Sequence, residues 1–213
     1  MKLTVFGATG GTGRHVVEQA LAAGHHVTAV VRDPARLTST GHPRLEPVVA
    51  DVMDTAAPEA VVAAVTGGDA VISALGPRPG GGGSVCADGA RAIIAAMRAA
   101  GTRRLVVVTA SGHIVDSGDG PVSRLLVKPM LQRLLREGFA DFVRTDDAVR
   151  ASGLDWTIMR PPRLTDGRRK PYRTAVDVNV RGGILISRAD LADAILATLA
   201  VPETVGHTVS LGY

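Results

Sequence analysis

The sequence predicts a doubly wound α/β domain built on a mostly parallel sheet. Three observations carry this. Short Val, Ile and Leu runs alternate with helical patterns from one end of the chain to the other. A bare glycine motif, "GATGGTG", directly follows the first apolar run. The length of 213 residues suits one such domain, and no internal repeat or linker divides it.

"KLTVFG" reads as a buried first strand, and "GRHVVEQALAAG" as a helix with Val16, Val17, Ala20 and Leu21 at helical spacing, closed by Gly24. "HHVTAVVR" and "LEPVVAD" are the second and third strands. "PEAVVAAVTG" is a short helix opened by proline, and "DAVISALG" a fourth strand. After the loop "PRPGGGGS", a helix over residues 85–100 carries Cys86, Ala90, Ile93, Ile94 and Met97 on one face. "RRLVVVTAS" is the fifth strand. A helical pattern over residues 122–152 is expected in two pieces, because Pro129 interrupts it. "DWTIMRP" is the sixth strand. A long loop follows, then a helix with Leu191, Ala194, Ile195 and Thr198 inward, and "HTVSLG" as the last strand.

Hydrophobic residues make up 46% and charged residues 21%, enough for a core, and at 3% aromatic that core rests on Val, Leu, Ile and Ala. No run is long enough to span a membrane, and the N-terminal run is too short for a signal peptide. The single cysteine, Cys86, excludes an intramolecular disulfide and reads as core packing; a cytoplasmic protein is expected. The charge of +4 is mild. The basic run from Arg160 to Arg173 offers only Tyr172 for stacking, so it reads as a solvated loop or a site for an anionic small molecule. Neither nucleic acid nor a membrane is expected as a partner, and no metal is expected.

In open α/β sheets ligands bind at the carboxyl ends of the strands, where strand order reverses. A strand-to-helix turn there leaves helix N–H groups unpaired at the positive end of the dipole, ready for a pyrophosphate. Gly7 permits the tight turn, Gly10 and Gly11 leave the backbone open to phosphate, and Gly13 lets the helix pack closely. Thr9 and Thr12 add hydroxyls. At the end of the second strand Arg32 stands where an NAD-binding chain would place an acid. Its guanidinium can fork onto a 2′-phosphate, with Arg14 and Arg36 in reach, so NADP(H) is the expected cofactor. Asp33, next in line, argues the other way.

The Gly-x-x-Gly-x-x-Gly spacing in "FGATGGTGR" resembles the extended and atypical short-chain dehydrogenase/reductases. "VVRDPARL", "ADVMD", "ISALG", "VVVTASG", "WTIMRPPRLTDG" and "ISRADLADAIL" in that order resemble the NAD(P)H-binding, NmrA-like branch, closest to the biliverdin-IXβ/flavin reductase-like proteins. The resemblance covers most of the chain. It implies one Rossmann-like domain over residues 1–213, with small substrate-side elements from about residue 160. It implies Asp51 and Val52 beside the adenine, and Ala74, Leu75 and Gly76 along the adenosine ribose and pyrophosphate. Asp51 can equally cap the turn that follows it. The resemblance further implies Thr109, Ala110 and Ser111 at the nicotinamide end, with Pro161, Pro162, Arg163 and Leu164 passing over that ring. Arg160 reads as structural.

The common reductases of this superfamily use Ser, Tyr and Lys, the tyrosine serving as proton donor. Ser111 stands at the expected place. Counting on from it puts the tyrosine at position 124 and the lysine at 128, where the chain has Arg124 and Lys128. Arginine is a poor general acid, and Lys128 precedes a proline, which disfavours an ordinary helical backbone. Ser111, Lys128 and His113, the last as proton donor, are the catalytic candidates. The expected activity is hydride transfer to an electron-poor acceptor of the flavin, quinone or linear tetrapyrrole type. The alternative is a non-catalytic NADP(H) redox sensor of the NmrA-like kind; an epimerase or dehydratase fits less well. An anionic acceptor would suit the basic loop at Arg168 to Arg173, and Gly80 to Gly83 would suit a flap. A monomer or small homo-oligomer is expected.

Overall fold

The computed structural model describes residues 1–55, 58–76, 83–121 and 123–213. Eight strands form one sheet in the order β3-β2-β1-β4-β5-β6-β10-β8. They are β1 (Lys2–Phe6), β2 (His26–Val31), β3 (Leu45–Val49), β4 (Ala70–Ser73), β5 (Arg104–Val108), β6 (Asp155–Arg160), β10 (His207–Gly212) and β8 (Arg173–Val176). All neighbours are parallel except β10 and β8. After β3 the chain crosses back to lay β4 against β1, and this reversal opens the crevice at their carboxyl ends.

Successive side chains of a strand face opposite sides, and the core divides accordingly. Val5, Val106 and Val108 face α1 (Gly11–Ala22) and α6 (Arg188–Thr198). Phe6, Leu105 and Val107 face α2 (Pro58–Val65), α3 (Val85–Ala100) and α5 (Arg136–Arg150). The predicted stripes lie inward: Cys86, Ala90, Ile93, Ile94 and Met97 on α3, and Leu191, Ala194, Ile195 and Thr198 on α6, are all buried.

β3 is an edge strand with no fully buried residue, which is how it carries Pro47. Two expectations are corrected. The long helical stretch breaks at Leu135, not at Pro129. A π-type turn (Ser123–Val127) leads into α4 (Lys128–Leu134), and Pro129 sits in its first turn, where no N–H is needed. Lys128 therefore has helical surroundings. The loop after β6 is also structured: β7 (Arg163–Thr165) pairs in parallel with β9 (Leu185–Ser187) in a separate two-stranded sheet, and β8 joins the main sheet. Strands this short carry no readable alternation. Among the described residues no helix is long and apolar enough to cross a membrane. Residues 80–82 of the expected flap lie outside the described residues.

Candidate functional site

A cleft of about 700 Å³ opens at the carboxyl ends of the central strands. A smaller hollow of about 290 Å³ lies at the other end of the sheet, against Lys2, His26 and Gly67. The floor of the large cleft is the β1–α1 turn. Gly7 has φ +76°, and a Cβ there would lie 2.6 Å from Ala74 O. A Cβ on Gly13 would lie 2.1 Å from Gly7 O, so the helix sits directly on the turn. The first bond into α1 runs from Arg14 N to Gly10 O at 3.0 Å. The N–H groups of Gly11, Thr12 and Gly13 therefore have no partner within the helix, and no acidic side chain occupies its first turn. Gly7, Thr9, Gly10, Gly11 and Thr12 line the cleft; Gly13 is buried beneath it and Arg14 points outward, exposed.

At the end of β2, Arg32 and Arg36 line the cleft. Asp33 is turned to local work: its Oδ1 accepts from Ala35 N at 3.0 Å and caps a short 3₁₀ turn. The acid that argued for NAD is thus not in the lining. Asp51 caps a turn as well, accepting from Met53 N at 3.0 Å, while still lining the cleft beside Val52. Ala74, Leu75 and Gly76 form the wall after β4.

The far end is apolar. Val108, Thr109, Phe142 and Leu164 line it. Thr109 Oγ1 is buried and without a hydrogen-bond partner among the described residues. Ala110 and Ser111 follow outside the lining, and Ser111 N donates to Pro161 O at 2.8 Å, joining the ends of β5 and β6. Pro161, Pro162 and Arg163 also lie outside the lining; of that stretch only Leu164 reaches it.

None of the three catalytic candidates lines the cleft: Ser111 lies just outside it, and Lys128 and His113 are buried elsewhere. Lys128 is buried, and its Nζ donates to Ile114 O at 2.5 Å and to Asp119 at 2.6 Å. It anchors a loop and does not line the cleft, so a cofactor role is not supported by its position. Of the long helical stretch it is α5 that lines the cleft, through Phe142. His113 is buried too. Its Nε2 lies 3.0 Å from Asp146 Oδ2, to which Arg160 donates at 2.6 Å. Burial opposes ionisation of Asp146, but the bond from His113 and the charge and bond of Arg160 outweigh it and hold the carboxyl below its ordinary range. His113 is thus part of a buried cluster that ties α5 to β6, rather than a proton donor facing the cleft.

Sequence reasoning missed Phe142 and Arg188. Arg188 opens α6, lines the cleft, and pairs with Asp166 at 2.8 Å. Its guanidinium covers Gly11, where a Cβ would lie 2.7 Å from Nε. A cation beside the positive end of α1 is an unfavourable pairing unless an anion joins them, but only tertiary packing brings the two together, so the sequence carried no signal for it. In the basic loop, Arg169 pairs with Asp193, Lys170 lies 3.5 Å above the Tyr213 ring, and Arg173 donates to Arg181 O and Tyr213 O. These groups are engaged within the chain. The two tyrosines are engaged as well, Tyr172 with Asp193 and Tyr213 with Asp190, and neither lines the cleft.

A bare helix N-terminus at a strand-order reversal, flanked by Arg32 and Arg36, whose guanidiniums have no partner among the described residues, fits a dinucleotide. The family model for NAD(P)H-binding proteins matches residues 7–202. The chain belongs to that NAD(P)H-binding family. The uncharacterised protein YwnB of Bacillus subtilis (strain 168) is 30% identical over 211 residues, covering 95% of this chain and 94% of its own. A solved candidate NADH-flavin reductase from Streptococcus pneumoniae TIGR4 is 27% identical with a TM-score of 0.80, covering 100% of this chain and 99% of its own. A short-chain dehydrogenase/reductase from Veillonella parvula DSM 2008, solved with NADP, shares the fold at a TM-score of 0.82 and 18% identity, covering 100% of this chain and 94% of its own.

Proposed function

We propose that this chain is an NADPH-dependent reductase that passes hydride to an electron-poor acceptor such as a flavin, a quinone or a linear tetrapyrrole. The observation that carries the cofactor choice is at the end of β2, where Arg32 and Arg36 line the cleft while Asp33 caps its own turn. Both guanidiniums suit a 2′-phosphate. Asp51, Val52, Ala74, Leu75 and Gly76 would flank the adenosine, and the N–H groups of Gly11 and Thr12 would take the pyrophosphate. Arg188 would exchange Asp166 for that same anion.

A reduced nicotinamide held at the far end would supply a hydride. Val108, Phe142 and Leu164 make that end apolar, which would limit water around the ring. Thr109 Oγ1, buried without a partner, would bind the carboxamide or the acceptor. The strap of Ser111 and Pro161 holds the two strand ends beside it. Among the described residues no tyrosine or histidine lines the cleft, which suits an acceptor that takes its proton from water once reduced. Rate then comes from orientation. The S. pneumoniae neighbour's name supports this acceptor class.

The test is oxidation of NADPH with FMN, a quinone and biliverdin offered in turn. The reading predicts turnover with at least one of them, reduced in Thr109→Val. Tight NADPH binding with no turnover on any would favour the non-catalytic sensor instead.

A further inference from the structure

The segment from the π-type turn through α4 is built inside out. Its inward hydrogen bonds come from polar side chains, with Leu131 half-buried beside them. Lys128 bonds to Ile114 O and Asp119, and Gln132 Nε2 donates to His113 O at 3.2 Å. Its large apolar side chains face outward: Leu125 is 72% exposed, Leu126 68%, Met130 63% and Leu134 77%. Met130 and Leu134 stand one turn apart on one face of α4. A helix in water normally turns such a face to the core. Arg124, Arg133 and Arg136 are exposed around it. No carboxylate occurs between Asp119 and Glu137, and the one lysine in that stretch is already paired with Asp119.

We propose that this face docks on an anionic phospholipid surface. Apolar side chains of this kind enter the boundary between headgroups and acyl chains, while the arginines stay among the headgroups. The charge pattern selects this occupant over a second copy of the chain. In a two-fold contact the same patch meets itself, so the three arginines would face their own copies with no carboxylate in the segment to answer them. The contact is peripheral, distinct from a spanning helix, of which the described residues hold none, and it replaces the expectation of no membrane partner. The proposal stands apart from the reductase reading.

The test is co-sedimentation of the intact chain with vesicles of phosphatidylcholine alone, or with about 30% phosphatidylglycerol, a strongly anionic surface. Near such a surface each arginine contributes roughly five-fold. Wild type is expected to bind the anionic vesicles at least ten-fold more tightly than the neutral ones, and to lose most of that at high salt. Arg133→Gln with Arg136→Gln is expected to lose on the order of 20-fold, and Met130→Glu with Leu134→Glu to abolish binding. Circular dichroism and NADPH affinity, both unchanged in these variants, show that the fold and the cleft are intact. Absence of vesicle binding, or equal binding to neutral vesicles, overturns the proposal. So does a wild-type dimer in sedimentation velocity that Met130→Glu with Leu134→Glu dissolves, or retention on an acidic polypeptide with vesicles ignored.

Discussion

At the scale of single residues, the two glycines of the β1–α1 turn do different work. A Cβ on Gly13 would meet Gly7 O at 2.1 Å, a collision with backbone that cannot swing aside. Gly13→Ala is expected to cost about 1–3 kcal/mol or more, read as a lower denaturation midpoint. Gly10 has φ −77°, ordinary for any residue, and the one close neighbour of its Cβ would be Gly7 O at 3.1 Å. Gly10→Ala is expected to fold with a clearly smaller loss of stability than Gly13→Ala and to weaken NADPH binding roughly ten-fold, because the methyl stands where a phosphate would approach. Equal loss of stability in both variants would show that the motif only serves the turn. Cys86 belongs at this scale as well. Burial, then the charge and bond of Asp141, push its thiol up to about 12. A thiol reagent at pH 8 is expected to leave the native protein unmodified and to titrate one thiol after denaturation. Rapid native reaction would mean that the N-terminus of α3 opens readily.

At the scale of elements, the Asp146 cluster fixes α5 against β6 and so holds Phe142 at the cleft. Its carboxyl is depressed in the folded chain, so the ionised form adds stability at pH values above the ordinary carboxylate pKa. That stability is lost as pH falls through the lower, folded value. Asp146→Asn is expected to flatten this acid limb in a plot of stability against pH. Asp146→Ala, which leaves Arg160 buried and unpaired, is expected to cost about 3–5 kcal/mol at neutral pH. An unaltered acid limb in Asp146→Asn would contradict the assignment. Elements were legible in the sequence wherever they were long and one-sided. The stripes on α3 and α6 and the buried strands follow from periodicity alone. The three- and four-residue strands β7, β8 and β9 were not, since so few residues set no period and their pairing is tertiary. The break at Leu135 was misplaced to Pro129 because proline interrupts a helix only away from its first turn.

At the scale of the whole molecule, the lining that the ends of β1 to β4 contribute to the cleft was readable from chain order, because each strand end delivers a local motif to one crevice. The other half was not. Counting from Ser111 pointed to Lys128, but the π-type turn and α4 intervene, and of that stretch it is α5 that reaches the cleft. Arg188 comes from almost the far end of the chain, and only the packing of α6 on α1 brings it over Gly11. The account therefore stands most firmly on the cofactor, and isothermal titration of NADPH and NADH into wild type and Arg32→Ala tests it most directly. The account predicts tighter binding of NADPH by wild type. It predicts a loss of about 10- to 100-fold for NADPH in Arg32→Ala, the worth of a charge-assisted bond, with NADH nearly unaffected. Equal affinities for the two nucleotides in wild type, or a parallel loss for both in the variant, would contradict it.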